Sequence, residues 1–208
     1  MSMLMKKSIL ITTLASLVIA SSASAAVTAF SLPTPVSTYS NAGNAQYVLG
    51  YTFTVGSNPL TVTDLGFFDA GGNGLGTAHP VTIWNSGGTV VGTATVSSGT
   101  TGTLEGGYRY TTVPEPITLS ANTTYTIGAT MYTNMDVSPA NQSIAAATAA
   151  AGITLGSARS NMTGVFPTGD PNGLGHYLTA NFKFNAVPEP GVALLAGIAA
   201  IPFLRRRR

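Results

Sequence analysis

No cysteine occurs in the 208 residues. No disulfide can therefore staple the fold, and no thiolate is available as a nucleophile. Charge is scarce as well, with Asp, Glu, Lys and Arg together at 8%. Most of the positive charge lies at the two ends, in Lys6, Lys7 and Arg205 to Arg208. Between residues 26 and 187, only Arg109, Arg159 and Lys183 stand against Asp64, Asp69, Glu105, Glu115, Asp136 and Asp170, a net of −3. A nucleic-acid partner needs a basic patch on the folded surface, so none is expected here. Also missing are a Gly-x-Ser-x-Gly elbow, a His-Glu-x-x-His pair and a phosphate loop. Glu105 and Asp69 are carboxylates, but nothing in their spacing selects them as a glycosidase pair. The sequence reads as non-catalytic.

What is present begins with two targeting ends. Lys6-Lys7 forms a basic start, residues 8–20 an apolar stretch, and Ala23-Ser24-Ala25 a small-x-small cleavage site. Residues 1–25 therefore read as a signal peptide, removed by signal peptidase to leave Ala26 first. The protein is expected to cross the inner membrane.

The other end runs Val187-Pro188-Glu189-Pro190, then an uncharged stretch from Gly191 to Leu204, then Arg205, Arg206, Arg207 and Arg208. The prolines hold the chain extended, since each fixes its own φ and disfavours helix in the residue before it. At 1.5 Å per residue, the fourteen apolar residues span roughly 21 Å of a hydrocarbon core of about 30 Å. The arginines would hold such a helix with its C-terminus in the cytoplasm. This three-part tail resembles the PEP-CTERM sorting signal of Gram-negative bacteria. The resemblance covers residues 187–208. It implies an exosortase as partner, a transient transmembrane anchor before processing, and delivery to the cell envelope or outside, in the setting of exopolysaccharide. A second Val-Pro-Glu-Pro at residues 113–116 lacks the apolar run and the arginines, and is expected to be a loop between strands.

Residues 26–186 read as one domain, and about 160 residues suffice to bury a core without staples. Tyr47 to Val55 alternates, with Tyr47, Leu49, Tyr51, Phe53 and Val55 on one face of a strand. The next alternation, from Leu60, shifts phase at Asp64, which predicts a bulge. Val81 to Trp84 and Thr89 to Val96 flank Asn85-Ser-Gly-Gly88 as a hairpin. Further strands are expected at 108–112, 117–119, 124–131 and 176–184, while residues 26–43 read as an irregular lead-in and 145–151 as helical turn or strand. Eight or so short strands between glycine and proline turns predict an all-β antiparallel sandwich, jelly-roll-like.

Four stretches of this domain are similar to an uncharacterised bacterial β-sandwich family of exported, surface-sorted proteins. They are Leu65-Gly-Phe-Phe-Asp-Ala-Gly-Gly-Asn-Gly-Leu75, Val81-Thr-Ile-Trp-Asn-Ser-Gly-Gly-Thr-Val-Val91, Leu104-Glu-Gly-Gly-Tyr-Arg-Tyr110 and Leu178-Thr-Ala-Asn-Phe-Lys-Phe184. The resemblance implies a fold and a setting, and brings no established activity.

Two glycine-rich stretches draw the eye to chemistry. Asn73-Gly-Leu-Gly76 precedes His79, Asn172-Gly-Leu-Gly175 precedes His176, and Asp69 and Asp170 stand upstream of each. Oxygen ligands on such turns suit calcium, and an Asp-His pairing suits a transition metal. The plainer reading is that Asp and Asn cap turns in which glycine supplies positive φ. Trp84 and the tyrosines offer a sugar-stacking platform or, at their alternating positions, core packing. The leading expectation is a non-catalytic envelope or matrix protein; the alternative is a carbohydrate- or calcium-binding surface module.

Overall fold

The computed structural model of the chain describes residues 25–34, 36–40, 46–132, 135–140, 146–162, 165–169 and 177–187. The first strands are β1 (Val27–Thr28), β2 (Phe30–Ser31), β3 (Ser37–Ser40), β4 (Tyr47–Val55) and β5 (Leu60–Phe68). A 3-10 turn at Ala70–Gly72 leads to β6 (His79–Asn85) and β7 (Val90–Val96). There follow β8 (Thr103–Glu105), β9 (Tyr108–Leu119), β10 (Thr124–Met131), β11 (Val137–Ala140), β12 (Thr148–Ala149), β13 (Ile153–Asn161) and β14 (Ala180–Ala186).

Two five-stranded sheets, in the orders β1-β14-β5-β9-β8 and β13-β4-β10-β6-β7, carry the fold. Two-stranded ribbons, β11-β3 and β12-β2, accompany them. Among the described residues, every strand pairing is antiparallel. The architecture is an all-β sandwich, held by what its facing sides bury. Phe53 of β4 meets Phe182 of β14 with ring centroids 4.9 Å apart, and Phe67 of β5 stacks on His79 of β6 at 3.7 Å. Leu49, Tyr51, Val81, Ile83 and Ile127 of one sheet and Val62, Leu65 and Leu119 of the other complete the interior. Each such side chain contributes about 1.5–3 kcal/mol by leaving water. All described residues fall in one compact unit, Ser24–Glu189.

The alternation in β4 has the predicted phase, with Leu49, Tyr51, Phe53 and Val55 buried. The bulge in β5 is Thr63. Pairing with β9 steps from Val62↔Ile117 to Asp64↔Thr112, and pairing with β14 from Phe184↔Val62 to Lys183↔Asp64. One extra residue lets both Val62 and Leu65 face the core, which a regular strand would forbid at that spacing. The hairpin between β6 and β7 also forms as expected. The Asn85 side-chain oxygen accepts from the Gly87 and Thr89 N–H groups, and Gly88 takes φ +80°.

Three expectations need correction. Val113–Pro116 is not a loop between two strands, because β9 runs through it. Its prolines have no N–H for a ladder, so pairing with β5 jumps from Thr112 to Ile117 and the strand continues beyond. The lead-in is not irregular throughout. Its β1 pairs with β14 and β2 with β12, and Ala29 and Phe30 are buried. Finally, β13, with nine residues, is an edge strand at positions where no strand was expected.

Candidate functional site

The connection from β5 to β6 carries the chain from one sheet to the other, and it is the glycine-rich stretch singled out above. Asp69 opens it and is 2% exposed. Both of its carboxylate oxygens accept from the Gly74 N–H, at 3.2 and 3.1 Å, which folds the loop back on its first residue. Gly74 has φ +104°, and a Cβ there would stand 2.9 Å from the Gly99 backbone, so only glycine fits. Across the loop, Leu75 and Gly99 exchange N–H···O bonds of 3.0 and 2.7 Å.

Arg109 of β9 completes this arrangement. Its Nε and Nη2 donate to Asp69 Oδ2 at 2.8 and 2.6 Å. The remaining guanidinium protons go to the carbonyls of Thr100, Gly102 and Gly72. A buried charge is tolerated only when paired and hydrogen-bonded, and here both conditions hold for both partners.

The far end of the loop is closed by a second carboxylate. Asp136 accepts from the Gly76 N–H at 2.9 and 3.0 Å and from the Thr77 N–H at 3.2 Å. Its Oδ2 also lies 2.9 Å from Nε2 of His79. His79 is fully buried, and its Nδ1 lies 2.7 Å from the Thr130 carbonyl oxygen. The pairing of β10 with β6 ends at Ala129↔Val81. The next residue on β6 is Pro80, which has no N–H, and the His79 ring meets the Thr130 carbonyl instead.

Between the loop and residues 135–137 lies a cleft of about 350 Å³, with Asp69, Asn73, Gly76 and Asp136 on its walls and the exposed Met135 at its edge. Asp69 and His79 therefore sit at opposite ends of one loop, each engaged with a different partner. Among the described residues, no three His, Asp or Glu side chains gather as a metal-holding group. Asp170 and His176 lie outside the described residues, as do Ala23, Pro188, Glu189, Pro190 and Arg205 to Arg208; Ala25 opens the described part. Glu105, the other carboxylate considered, pairs with Lys183 at 2.7 Å. Sequence reasoning missed Arg109 and Asp136, which stand 40 and 57 residues from the groups they bind.

Tyr51, Tyr108, Tyr110 and Tyr125 are buried. Burial pushes the hydroxyls of Tyr51, Tyr108 and Tyr110 well above the ordinary phenol range, reinforced for Tyr51 by Tyr110, for Tyr108 by Tyr51 and Tyr110, and for Tyr110 by Glu105 and Asp64. Trp84 belongs to neither the main core nor an open platform. It alternates with the inward-facing Val81 and Ile83, lies against Gly128, and is covered by Phe166 at 5.8 Å between ring centroids. A second groove, of about 330 Å³, lies where β7 passes β9, between Val91 to Thr93 and the Pro114-Glu115-Pro116 stretch.

The fold and the loop thus define an antiparallel sandwich whose sheet-to-sheet connection is fastened at both ends by carboxylates. Residues 13–182 match the family described as "Domain of unknown function (DUF4082)", and the chain belongs to that family. Comparison with curated proteins gave no match.

Proposed function

We propose that this is an exported, non-catalytic protein of the cell envelope or extracellular matrix, sorted by a PEP-CTERM tail and associated with exopolysaccharide. Signal peptidase removes residues 1–25, residues 26–186 form the delivered domain, and residues 187–208 hold it in the membrane until an exosortase acts at Pro188-Glu189-Pro190. The observation that carries this reading is the order of the tail: Pro-Glu-Pro, an uncharged stretch, four terminal arginines. Asp69, Arg109, His79, Asp136, Glu105 and Lys183 all make contacts within the protein, which suits a durable module.

We read the fold as a jelly roll. Its eight principal strands give the orders β1-β14-β5-β9 and β4-β10-β6-β7, with β8 and β13 added at the edges, and the chain passes repeatedly between the sheets as two Greek keys require.

The test is the intact mass of the protein recovered from the producing cells. A product that starts at Ala26 and has lost the arginines supports the proposal; a full-length chain in the membrane fraction contradicts it. A calcium titration and a glycan array on the same material address the surface-module alternative, which a specific, saturable ligand would favour.

A further inference from the structure

Asn73 is exposed on the loop that Asp69 opens, and the residue after it is Gly74. In an asparagine–glycine pair the main chain readily attacks its own side chain, since glycine brings no Cβ to hinder the approach. The Gly74 nitrogen adds to the Asn73 side-chain carbonyl carbon and gives its proton to solvent. The side-chain nitrogen takes up a proton and leaves as ammonia. Water then opens the resulting succinimide at one carbonyl or the other, giving aspartate or isoaspartate. Nothing is oxidised or reduced, and water is the co-reactant. The structure holds this pair away from that reaction in two ways. Asn73 has φ −86° and ψ −1°, so the Gly74 nitrogen eclipses the Asn73 nitrogen and lies roughly a third of a turn from the side chain. The Gly74 N–H also donates to both Asp69 oxygens, at 3.2 and 3.1 Å, and Arg109 in turn holds Asp69 Oδ2.

We propose that Asn73-Gly74 is a latent self-modification site, kept closed by the Asp69–Arg109 pair and converted only when the loop opens. A bond from a backbone N–H to a carboxylate is charge-assisted, so turning the Gly74 nitrogen toward the side chain breaks a stronger contact than an ordinary loop hydrogen bond. The rate then follows the small fraction of molecules in which the loop is open. Conversion runs one way. Isoaspartate carries an extra main-chain carbon into a loop whose Gly74 already stands close against Gly99, where a Cβ would come within 2.9 Å. Either product adds a carboxylate to the cleft that Asn73 shares with Asp69 and Asp136. A loop that has opened long enough to convert is thereby barred from closing as before. This inference concerns the folded domain and stands apart from the sorting proposal.

The peptide that follows Phe68 and ends at Trp84 holds Asn73 as its one side-chain amide, so chymotryptic mapping assigns a mass gain and isoaspartate there to this residue. The experiment ages the full chain in detergent at mildly alkaline pH beside the same chain in urea. The folded protein should convert more than about tenfold more slowly than the unfolded one. Arg109→Lys, which keeps the charge and gives up the paired donors, should convert faster than the unsubstituted protein while its Trp84 fluorescence stays unchanged. If that variant does not fold, hydrogen exchange in the unsubstituted protein decides, with the Gly74 N–H slowed by the same factor as the conversion. Equal rates in the folded protein and in urea overturn the proposal. So does slow conversion beside a freely exchanging Gly74 N–H, and so does a folded Arg109→Lys that converts no faster.

Discussion

Arg109 and Asp69 meet through two donors on one oxygen: Nε at 2.8 Å and Nη2 at 2.6 Å, both to Oδ2. The contact joins a strand of the first sheet to the loop that leaves for the second, and both side chains are almost wholly buried. Removing one partner leaves the other charged and unpaired away from water.

Arg109→Met and Asp69→Leu should therefore each cost about 3–5 kcal/mol in urea unfolding. The double variant should cost clearly less than the two single changes together, because neither buried charge then lacks its partner. Strict additivity would show that the pair is not coupled.

Gly50 and Gly71 should respond oppositely to alanine. A Cβ on Gly50 would stand 1.9 Å from the Ile127 carbonyl oxygen, across the β4–β10 ladder, where only backbone movement makes room. Gly50→Ala should cost 3 kcal/mol or more, about the upper end for overpacking. Gly71 has open space around it and only a φ of +81° to resist substitution, so Gly71→Ala should cost about 1–2 kcal/mol. Equal effects in thermal unfolding would contradict this placement of β4 against β10.

Trp84 is the sole tryptophan and so reports on its own cover. Phe166→Ala should shift its fluorescence to the red and raise its quenching by iodide, with a smaller stability loss than Phe53→Ala, for which about 3–5 kcal/mol is expected. An unchanged spectrum would mean that Phe166 does not shield the indole.

The buried tyrosines set an alkaline limit. Tyr51, Tyr108 and Tyr110 have folded-state values raised above the ordinary one of about 10. Their contribution is complete below that value and is lost as pH rises beyond it, since the unfolded chain ionises where the folded one resists. Phenolate absorbance of these three should appear together with unfolding, above about pH 10. Early, unfolding-independent ionisation of all the tyrosines would contradict their burial.

Much of this fold was legible from period-two patterns. The run from Tyr47 to Val55 declared its inward face, and the phase change at Asp64 located the bulge because a bulge is what inverts an alternation. The Asn85-to-Gly88 turn was readable from residues that permit one conformation. What could not be read has a common cause: the signal lay elsewhere in the chain. The edge strand β13, with Gly156, Ser157 and Arg159 in it, shows no alternation, and it is a strand because β4 offers it an edge. Val113–Pro116 looks like a loop locally and stays in β9 because both ends of it pair with β5. The site was half legible. Asp69 and His79 stood out through their glycines, but their partners, Arg109 and Asp136, are fixed by long-range packing. One signal was available: in a domain with three cations and six acids, a buried acid calls for a cation or several N–H groups, and Arg109 was one of three cations to try.

The central claim is that the tail, and not the tetrapeptide by itself, directs sorting. Glu189→Ala and Glu115→Ala remove the same side chain from the same four-residue motif. Glu115, however, stands in β9 beside β7. The deciding measurement is the size and membrane fractionation of these two variants in a host that carries an exosortase. Glu189→Ala should accumulate in the membrane as a longer, unprocessed form, while Glu115→Ala is processed as the unsubstituted protein is. Normal processing of Glu189→Ala, with a block in Glu115→Ala, would contradict the account.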